Sequence, residues 1–469
     1  KIPKMKNLIP LLFILFFLTC SPYPLLFTNE GNFSYKSKIN RIIANSNLDA
    51  LMGIKIISLN DGKILYELNS NKLYTPASNN KLYTCASALH YLGENFTFST
   101  SIYHINNNII LKGGGDPDFT IDQLDSLADI VSKKINVIDT LYIDASMMDS
   151  IDYGEGWMWD EGAWWYAAPI SALSLNDNCI DFFINPGEIG SPAIVNYSPP
   201  TKYISISNNS ITVEKSDLNR RIKLDRNWIS KNNHFTISGE VLFNEMTDTL
   251  RRNIHDPSLF VGTVFKELLK NHGVEVRNLS KLTKSKKLEP LSVHISKPLI
   301  HSAKNLMNES DNLTAELFVK TIGKSEGTSG NLVDGLDSIR TFLYDSIMID
   351  TNRIRLADGS GVSRYNLTTP NDIVKLLEWV YHSKYKDSFI STLPGGGWEH
   401  GTMEGRLKKE GALVRAKTGG LSGVSNLSGY VFSPRFGPLA FSILMNGYTG
   451  FSTPYRQLQN KIVQFIIYG

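Results

Sequence analysis

Three short polar motifs, far apart in the sequence, contain residue types that together can form and break an acyl bond on a serine. They are Ser78-Asn-Asn-Lys81, Ser310-Asp-Asn312 and Lys417-Thr-Gly419. Each is weak by itself, because Ser-x-x-Lys occurs again at Ser383 to Lys386 and because short polar strings are common on protein surfaces. The local structure predicted around each motif therefore decides whether it carries chemistry.

The first motif opens a predicted helix that runs from Lys81 to Leu92 and ends at Gly93, with a largely apolar interior typical of a buried helix. Residues three apart share a helix face, so Lys81 is expected beside the Ser78 hydroxyl. A serine hydroxyl becomes a good nucleophile when an adjacent base removes its proton. Lysine can be that base when burial and nearby positive charge lower its pKa. We therefore predict Ser78 as the nucleophile and Lys81 as its base.

The third motif ends a strand that is predicted to begin at Val414. Gly419 and Gly420 would let a substrate backbone approach this strand closely. The ammonium of Lys417 and the hydroxyl of Thr418 suit the terminal carboxylate of a peptide. We predict this strand end to be the substrate-binding edge.

The second motif can complete the site, with Ser310 as a proton relay and Asn312 as an amide contact. The second copy of the first motif lacks such a setting, because Tyr381 to Asp387 is predicted to be a solvated loop or helix end. All three motifs, in this order and each in a suitable local structure, form the combination found in β-lactamases and penicillin-binding proteins.

The chain resembles the serine D-alanyl-D-alanine carboxypeptidase/endopeptidase family, the class C low-molecular-mass penicillin-binding proteins. The similarity covers nearly all of residues 35 to 465. The stretches that carry it, besides the three motifs, are Thr75 to Lys81, Gly114-Gly-Asp-Pro117, Trp159-Asp160 with Tyr166-Ala-Ala-Pro169 and Asn176 to Cys179, Asp358-Gly-Ser-Gly-Val-Ser-Arg-Tyr-Asn366, and Ala416 to Gly423.

The resemblance implies a role for each motif residue. Ser78 would be acylated, Lys81 would be the base, and Ser310 would pass the proton to the leaving D-Ala. The substrate-binding groups would be Asn312 on the acyl amide, Lys417 and Thr418 on the terminal carboxylate, the Gly419 edge, and the backbone N–H groups of Ser78 and Gly420 as the oxyanion hole.

The resemblance also implies contacts to the side chain of the stem peptide, from Arg364 and from an acid in Asp160-Glu161. Bracing of a loop is the alternative for Arg364. The chain departs from the family pattern at Gly420, where Ser is commoner, and at Ser422, which often carries a longer polar side chain. The first departure leaves the backbone N–H in place, whereas the second bears on recognition of the stem peptide.

The predicted fold class is α+β, with an antiparallel sheet between helices, as in penicillin-binding transpeptidases. Positions 81 and 310 are 229 residues apart, far more than in a compact β-lactamase. The resemblance places two inserted domains in that gap. We expect a catalytic domain from 30–95 and 296–469, an inserted α/β domain from 96–152 and 241–295, and a nested β-rich domain from 153–240.

The N-terminus is typical of export to the periplasm or the outer face of a bacterial membrane. Three lysines precede an apolar run from Leu8 to Leu18, too short for a membrane span, so residues 1–20 are predicted to be a signal sequence. Cys20 stands where a lipoprotein cysteine would, but Thr19 is larger than the residue usual before it. The sequence leaves membrane anchoring through a lipidated Cys20 open.

Composition excludes other classes of protein. Of 469 residues, 48 are Lys or Arg and 45 are Asp or Glu, a balance too even for a nucleic-acid partner. The histidines show no zinc spacing, and we predict no metal or cofactor. Cys85 and Cys179 are expected to be buried, although one bridge between them stays open. The expected partners are peptidoglycan stem peptides as substrate and β-lactam antibiotics as covalent inhibitors.

Other interpretations of the same residues are a serine β-lactamase, for which the sequence identifies no deacylating carboxylate, and a non-catalytic cell-wall-binding scaffold on the same fold. Carboxypeptidase and endopeptidase activities use the same acyl-enzyme. Four tryptophans, at 157, 159, 164 and 165, are predicted to be core and domain-contact residues, with a glycan-stacking platform as the alternative.

Overall fold

The computed structural model describes residues 35–215, 221–282 and 289–469. The predicted signal sequence at 1–20, with Cys20, lies outside these residues. Within the described part of the chain, the helices are each too short or too polar to span a bilayer.

A five-stranded antiparallel sheet is built from both ends of the chain. Strand β1 (Leu51–Ser58) pairs with β16 (Gly437–Asn446), from Leu51 opposite Asn446 to Ser58 opposite Leu439, so one sheet joins the two ends of the chain. In sheet order the strands are β14 (Val414–Leu421), β15 (Val424–Ser433), β16 (Gly437–Asn446), β1 (Leu51–Ser58) and β2 (Ile64–Leu68).

Both faces of this sheet are covered by helices, because alternate residues of β16 enter two different cores. Phe441 and Ile443 face α1 (Tyr35–Ala44) and α10 (Thr453–Tyr468), whereas Ala440 and Leu444 face a layer of helices on the other side. That layer contains α2 (Lys81–Tyr91), α5 (Leu299–Asn308), α6 (Asn312–Ser325), α7 (Leu332–Ile347), α8 (Pro370–His382) and α9 (Lys386–Thr392). The predicted fold class is confirmed.

A second, mixed sheet lies in the segment between the first two motifs. The sequence predicts a single strand from Ile105 to Lys112, but the chain turns at Asn106, whose φ is +51°, and forms a hairpin instead. The strands of the second sheet, in order, are β12 (Glu275–Lys281), β5 (Val137–Asp144), β4 (Asn108–Lys112), β3 (Ser99–Ile105) and β13 (Ser292–Ile295). The sheet packs against α3 (Ile121–Ser132) and α4 (Pro257–Asn271).

We call residues 99–295, which carry this sheet, the insertion; the rest of it is β-rich. Two three-stranded sheets share a core in which the rings of Phe182 and Phe235 lie 4.9 Å apart. The sheets are β11 (Asp248–Asn253), β6 (Cys179–Asn185) and β7 (Ile194–Ser198), and β8 (Ser205–Val213), β10 (His234–Leu242) and β9 (Lys223–Arg226). Because β11 pairs with β6, this sheet contains strands from both sides of position 240, where the nested domain was predicted to end. The domain boundaries stay a prediction. Cys85 and Cys179 are both buried and unbridged.

The insertion is fastened to the catalytic helices by a buried charge. Lys320, on α6, is fully buried and lies 2.6 Å from the Asp149 carboxylate, while its ammonium also donates to the Ile151 carbonyl at 2.7 Å. A buried ammonium is tolerated only when it is paired and hydrogen-bonded. The pair therefore fixes the segment around residue 150 against α6.

We expect Lys320→Ala to lower the free energy of unfolding in urea by about 3–5 kcal/mol, because it leaves the Asp149 carboxylate without its buried partner. The matched control is Lys133→Ala, which removes an equally short but exposed pair with Asp129 on α3. That variant should lose about 0.3–0.5 kcal/mol. Equal losses in the two variants would contradict the role assigned to Lys320.

Candidate active site

Ser78 lies on a strained turn that leads directly into α2. The turn is a 3-10 helix from Ala77 to Asn80, and Ala77 has a φ of +48°, in the left-handed region that residues with a side chain rarely occupy. Such a backbone costs on the order of 1–3 kcal/mol and persists only where the surroundings determine it. Here the amide of Asn79 donates to the Lys417 carbonyl at 2.9 Å, and that of Asn426 to the Pro76 carbonyl at 2.7 Å.

Two glycines let neighbouring segments come close enough to hold this turn. A Cβ at Gly361, whose φ is +87°, would lie 1.9 Å from the carbonyl oxygen of Ala77. A Cβ at Gly419 would lie 2.7 Å from that of Pro76. Any side chain at either position would push its segment away from the nucleophile.

The amino group of Lys81 is fully buried one turn behind the nucleophile. Its Nζ lies 3.1 Å from the Ser78 hydroxyl, 2.6 Å from the Asn312 Oδ1 and 2.7 Å from the Ser360 carbonyl oxygen. Burial lowers the pKa of Lys81 to about 8, against the opposing charges of Asp311, Asp358 and Glu316. Near neutral pH a fraction of Lys81 is thus uncharged and able to accept the serine proton.

A second buried lysine faces the second motif. The Lys417 ammonium donates to the Ser310 hydroxyl at 2.8 Å and to the Thr418 carbonyl at 3.1 Å. Burial, and then the charge of Lys81, hold the pKa of Lys417 well below its usual value. Ser310 has a φ of +68°, and Asp311 next to it caps α6 by accepting from the Thr314 N–H at 2.6 Å.

Asn312 is oriented by the insertion. Its Nδ2 donates to the Tyr166 carbonyl at 2.7 Å, which leaves Oδ1 to accept from Lys81. The first residue of α6 is thereby aligned between the insertion and the catalytic lysine.

Two buried carboxylates behind Lys81 are absent from the sequence prediction. Glu316 lies one turn after Asn312 on α6, and its two oxygens accept from the backbone N–H groups of Gly359 at 2.9 Å and Ser360 at 2.8 Å. Burial, and then the charge of Asp358, raise the pKa of Glu316. Glu316 thereby aims the Ser360 carbonyl at Lys81. The available signal was an acid four residues after Asn312, among the residues of a largely buried helix.

Asp358 organises the same loop from its other side. Its carboxylate accepts from the N–H groups of Gly361 and Ser363 and from the Asn366 amide, each at 2.7 Å, and from the Trp157 indole at 2.9 Å. The indole belongs to the insertion, so Asp358 is a second point at which the insertion touches the catalytic machinery. In the sequence, the stretch from Asp358 to Asn366 stands out only through its resemblance to the family.

A cavity of about 990 Å³ opens over these groups. Lys81 and Lys417 lie beneath its floor, with their amino groups on Ser78 and Ser310. Eight of the ten site residues predicted from the sequence line the cavity: Ser78, Asp160, Ser310, Asn312, Arg364, Thr418, Gly419 and Gly420.

Arg364 lines the cavity and also donates to the Ser422 carbonyl at 2.9 Å, a contact that braces the loop. Its contact with the side chain of the stem peptide stays a prediction. Asp160 stands on an exposed 3-10 turn, Trp159 to Glu161, at the cavity rim. The second Ser-x-x-Lys motif is a helix end as predicted, since Ser383 follows the last residue of α8 and its hydroxyl donates to the Val380 carbonyl at 2.8 Å.

The prediction that the tryptophans are core residues is wrong for three of the four. Trp159, Trp164 and Trp165 are 74%, 47% and 41% exposed, and only Trp157 is turned inward, onto Asp358. Their segment is held by the side chain of Asn253, whose amide donates to the carbonyls of Gly162, Trp164 and Ala167.

Residues 35–466 match the D-Ala-D-Ala carboxypeptidase 3 (S13) family. The chain belongs to this family. Among relatives, this S13 peptidase is 29% identical to a D-alanyl-D-alanine carboxypeptidase of Actinomadura sp., over 88% of this chain and 81% of that protein.

Two solved structures share the fold of this S13 peptidase. Penicillin binding protein 4 from Haemophilus influenzae aligns with a TM-score of 0.80 at 24% identity, over 92% of this chain and 99% of that one. A predatory peptidoglycan endopeptidase from Bdellovibrio bacteriovorus aligns with a TM-score of 0.52 at 17% identity, over 90% and 93%. The predicted family, fold and enzyme class, a serine-type D-Ala-D-Ala carboxypeptidase, are confirmed.

We expect Glu316→Gln to shift the pH dependence of acylation to lower pH, because loss of a negative charge lowers the pKa of Lys81 further. The maximal rate should fall about tenfold, since one backbone N–H would face the new amide NH₂ and the Ser360 carbonyl would lose its alignment. The measurement is the pH–rate profile of acylation by a chromogenic β-lactam.

Lys320→Ala, one turn further along α6, is the control for a general loss of packing. It should lower stability without moving the midpoint of the pH profile. An unchanged or higher midpoint in Glu316→Gln would contradict the electrostatic role of Glu316.

Proposed function

We propose that this carboxypeptidase cleaves peptidoglycan stem peptides through an acyl-enzyme on Ser78. The observation that carries the proposal is the 3.1 Å contact between the Ser78 hydroxyl and the amino group of Lys81, whose pKa burial lowers to about 8. A buried lysine with a lowered pKa beside a serine is a nucleophile with its base.

In the first step, uncharged Lys81 takes the proton of Ser78 as its oxygen attacks the carbonyl of the penultimate D-Ala. The tetrahedral oxyanion that forms is stabilised by the backbone N–H groups of Ser78 and Gly420, both at the cavity wall. Each such donor contributes about 2.7–4 kcal/mol to transition-state stabilisation in other enzymes.

In the second step, the C–N bond breaks and the terminal D-Ala leaves. Its nitrogen receives the proton that Lys81 took, through the hydroxyl of Ser310, which Lys417 holds at 2.8 Å. Lys81 is then neutral again and activates a water molecule that hydrolyses the ester. The ester oxygen regains a proton as Ser78, which closes the cycle.

Substrate orientation depends on the cavity wall. Lys417 and the Thr418 hydroxyl would bind the terminal carboxylate, whose charge favours the protonated form of Lys417. The Asn312 Nδ2 carries a second hydrogen, beyond the one given to Tyr166, for the acyl amide. Arg364 and Asp160 stand at the rim with opposite charges and would contact the side chain of the stem peptide.

The same acyl-enzyme extends to two related reactions. A cross-linked peptide would acylate Ser78 with release of a second stem peptide, which is endopeptidase activity, and a β-lactam would acylate it irreversibly on the timescale of turnover. We also propose that the chain is exported and acts outside the cytoplasmic membrane, with Cys20 as a site of lipid anchoring; the lysines and apolar run of residues 1–18 support export.

Ser78→Ala should abolish the covalent adduct with benzylpenicillin, because the attacking oxygen is gone. Mass spectrometry of the intact protein after mixing measures the adduct directly. Ser383→Ala is the matched control, since it removes the serine of the second Ser-x-x-Lys motif, and it should be labelled like the wild type. An adduct that still forms on Ser78→Ala would contradict the assignment of Ser78 as the nucleophile. Loss of the benzylpenicillin adduct from the wild type within seconds would indicate a β-lactamase.

The rate of acylation should rise with pH through about 8, because only uncharged Lys81 can accept the serine proton. Burial lowers the pKa of this lysine, so the active form grows as pH rises and is lost as pH falls below that value. Stopped-flow acylation by a chromogenic β-lactam across this range measures it. A rate that stays flat, or that falls as pH rises from about 6 to 8, would argue against Lys81 as the base.

A further inference from the structure

Large apolar side chains that the proposed reaction does not use project beside the catalytic cavity. Trp159 is 74% exposed, and Met158 and Ile229 are 49% and 69% exposed. The Trp159 ring lies against that of Trp228, with centroids 5.4 Å apart and planes inclined by 45°. We call Met158, Trp159, Trp228 and Ile229 the aromatic ledge. A contiguous apolar patch of this kind on a folded protein marks an interaction site.

The ledge is continuous with the catalytic cavity. Met158 on one side of Trp159 and Asp160 on the other both line the cavity that contains Ser78. A ligand that fills the cavity and continues outward past Asp160 therefore meets the ledge next.

The backbone that follows Trp159 is held by buried hydrogen bonds. Asn253 is fully buried, and its amide donates to the Trp164 and Ala167 carbonyls at 2.8 and 2.9 Å, while its backbone N–H donates to the Ala163 carbonyl at 2.9 Å. Gly162 has a φ of +61°, and a Cβ there would lie 3.0 Å from the Trp228 indole nitrogen. The segment next to Trp159 is thus anchored, and the Trp159 ring packs on that of Trp228, which lowers the entropy cost of binding a ligand there.

The chemistry of the ledge favours a neutral ligand with flat apolar faces and many hydroxyls. Indole rings supply a wide apolar surface with little conformational freedom. The carboxylates of Asp160 and Glu161 border the ledge, so hydroxyl and amide donors are favoured there and phosphate-bearing surfaces are repelled. A pyranose ring has both properties, an apolar C–H face and a rim of hydroxyls.

The geometry of the substrate leads to the same ligand. A stem peptide with its D-Ala-D-Ala end at Ser78 is bonded at its other end to a sugar of the glycan strand. Four extended residues span about 13 Å, so the sugar is tethered within that reach of the D-Ala carbonyl on Ser78. The ledge adjoins Met158 and Asp160 of the cavity lining and lies where a peptide that leaves the cavity past Asp160 would carry its sugar.

We propose that the aromatic ledge binds sugar rings of the glycan strand that carries the stem peptide. This inference rests on the proposed function, because it assigns the outer part of the same substrate. The ledge would make glycan-linked peptides better substrates than free peptides with the same sequence.

The test compares kcat/KM for a free stem pentapeptide with that for the same peptide on an N-acetylglucosamine–N-acetylmuramic acid disaccharide. The wild type should prefer the glycan-linked form. Trp159→Ala should lower kcat/KM for that form about threefold to tenfold, the range of a lost aromatic contact, and leave the free pentapeptide unchanged. Trp159→Phe, which keeps a flat ring, should recover most of the loss.

The control is Tyr344→Ala, which removes an aromatic ring of similar exposure from α7. It should change neither substrate. Equal kcat/KM for the two substrates in the wild type, or an equal loss on both in Trp159→Ala, would overturn the proposal.

A binding measurement separates this inference from the reaction itself. Peptide-free oligosaccharide of the same two sugars should change the indole fluorescence of Ser78→Ala protein, and the change should be lost in the double variant with Trp159→Ala. An unchanged fluorescence would overturn the proposal that the ledge binds sugar, while leaving the proposed acyl-enzyme mechanism intact. A concentration-dependent dimer that Trp159→Ala dissociates would show a protein interface instead. Absence of pentapeptide cleavage in the wild type would refute the proposed function, whatever the oligosaccharide does.

Discussion

A fully buried lysine ammonium is the constraint on which the site depends. Lys81 is fully buried, and its desolvation would be prohibitive if its hydrogens lacked acceptors. Three acceptors surround it: the nucleophile, an amide oxygen of α6 and a loop carbonyl. These acceptors offset part of the cost of burying the charged amino group. Burial still disfavours the charged form, so the pKa of Lys81 falls to about 8. The surrounding structure holds each of these acceptors within hydrogen-bond distance of the amino group.

Four parts of the chain converge on that amino group. The 3-10 turn brings Ser78, α6 brings Asn312, and the loop after Asp358 brings the Ser360 carbonyl. Strand β14 brings Lys417 close enough for the charge of Lys81 to lower the pKa of Lys417. The left-handed backbones at Ala77 and Ser310 fit this interpretation, because strain at a site persists only where packing overdetermines it. The insertion takes part through the Tyr166 carbonyl on Asn312 and the Trp157 indole on Asp358, so it supports the catalytic machinery as well as shaping the approach to it.

The sequence predicts the reacting groups better than their supports. The Ser78–Lys81 pair follows from helix spacing, and the substrate edge at Lys417 to Gly420 follows from a strand that ends in glycines; the structure brings both to one cavity. Glu316 was not predicted, because its partners are backbone N–H groups 43 and 44 residues away, which no local pattern reveals. The prediction of a single strand from Ile105 to Lys112 was wrong because two asparagines allow a tight turn. The prediction of burial was wrong for three of the tryptophans because it rested on their apolar character alone, which usually signals burial.

The most direct test of the central claim is the titration of Lys81 in the resting enzyme. Lysine labelled with ¹³C at Cε can be followed by NMR as pH is raised, with Lys81→Arg to assign the signal. A midpoint near pH 8, lowered further in Glu316→Gln, is the result that the account predicts. A midpoint near 10.4, the value of an ordinary lysine, would mean that Lys81 stays charged at neutral pH and would contradict its role as the base.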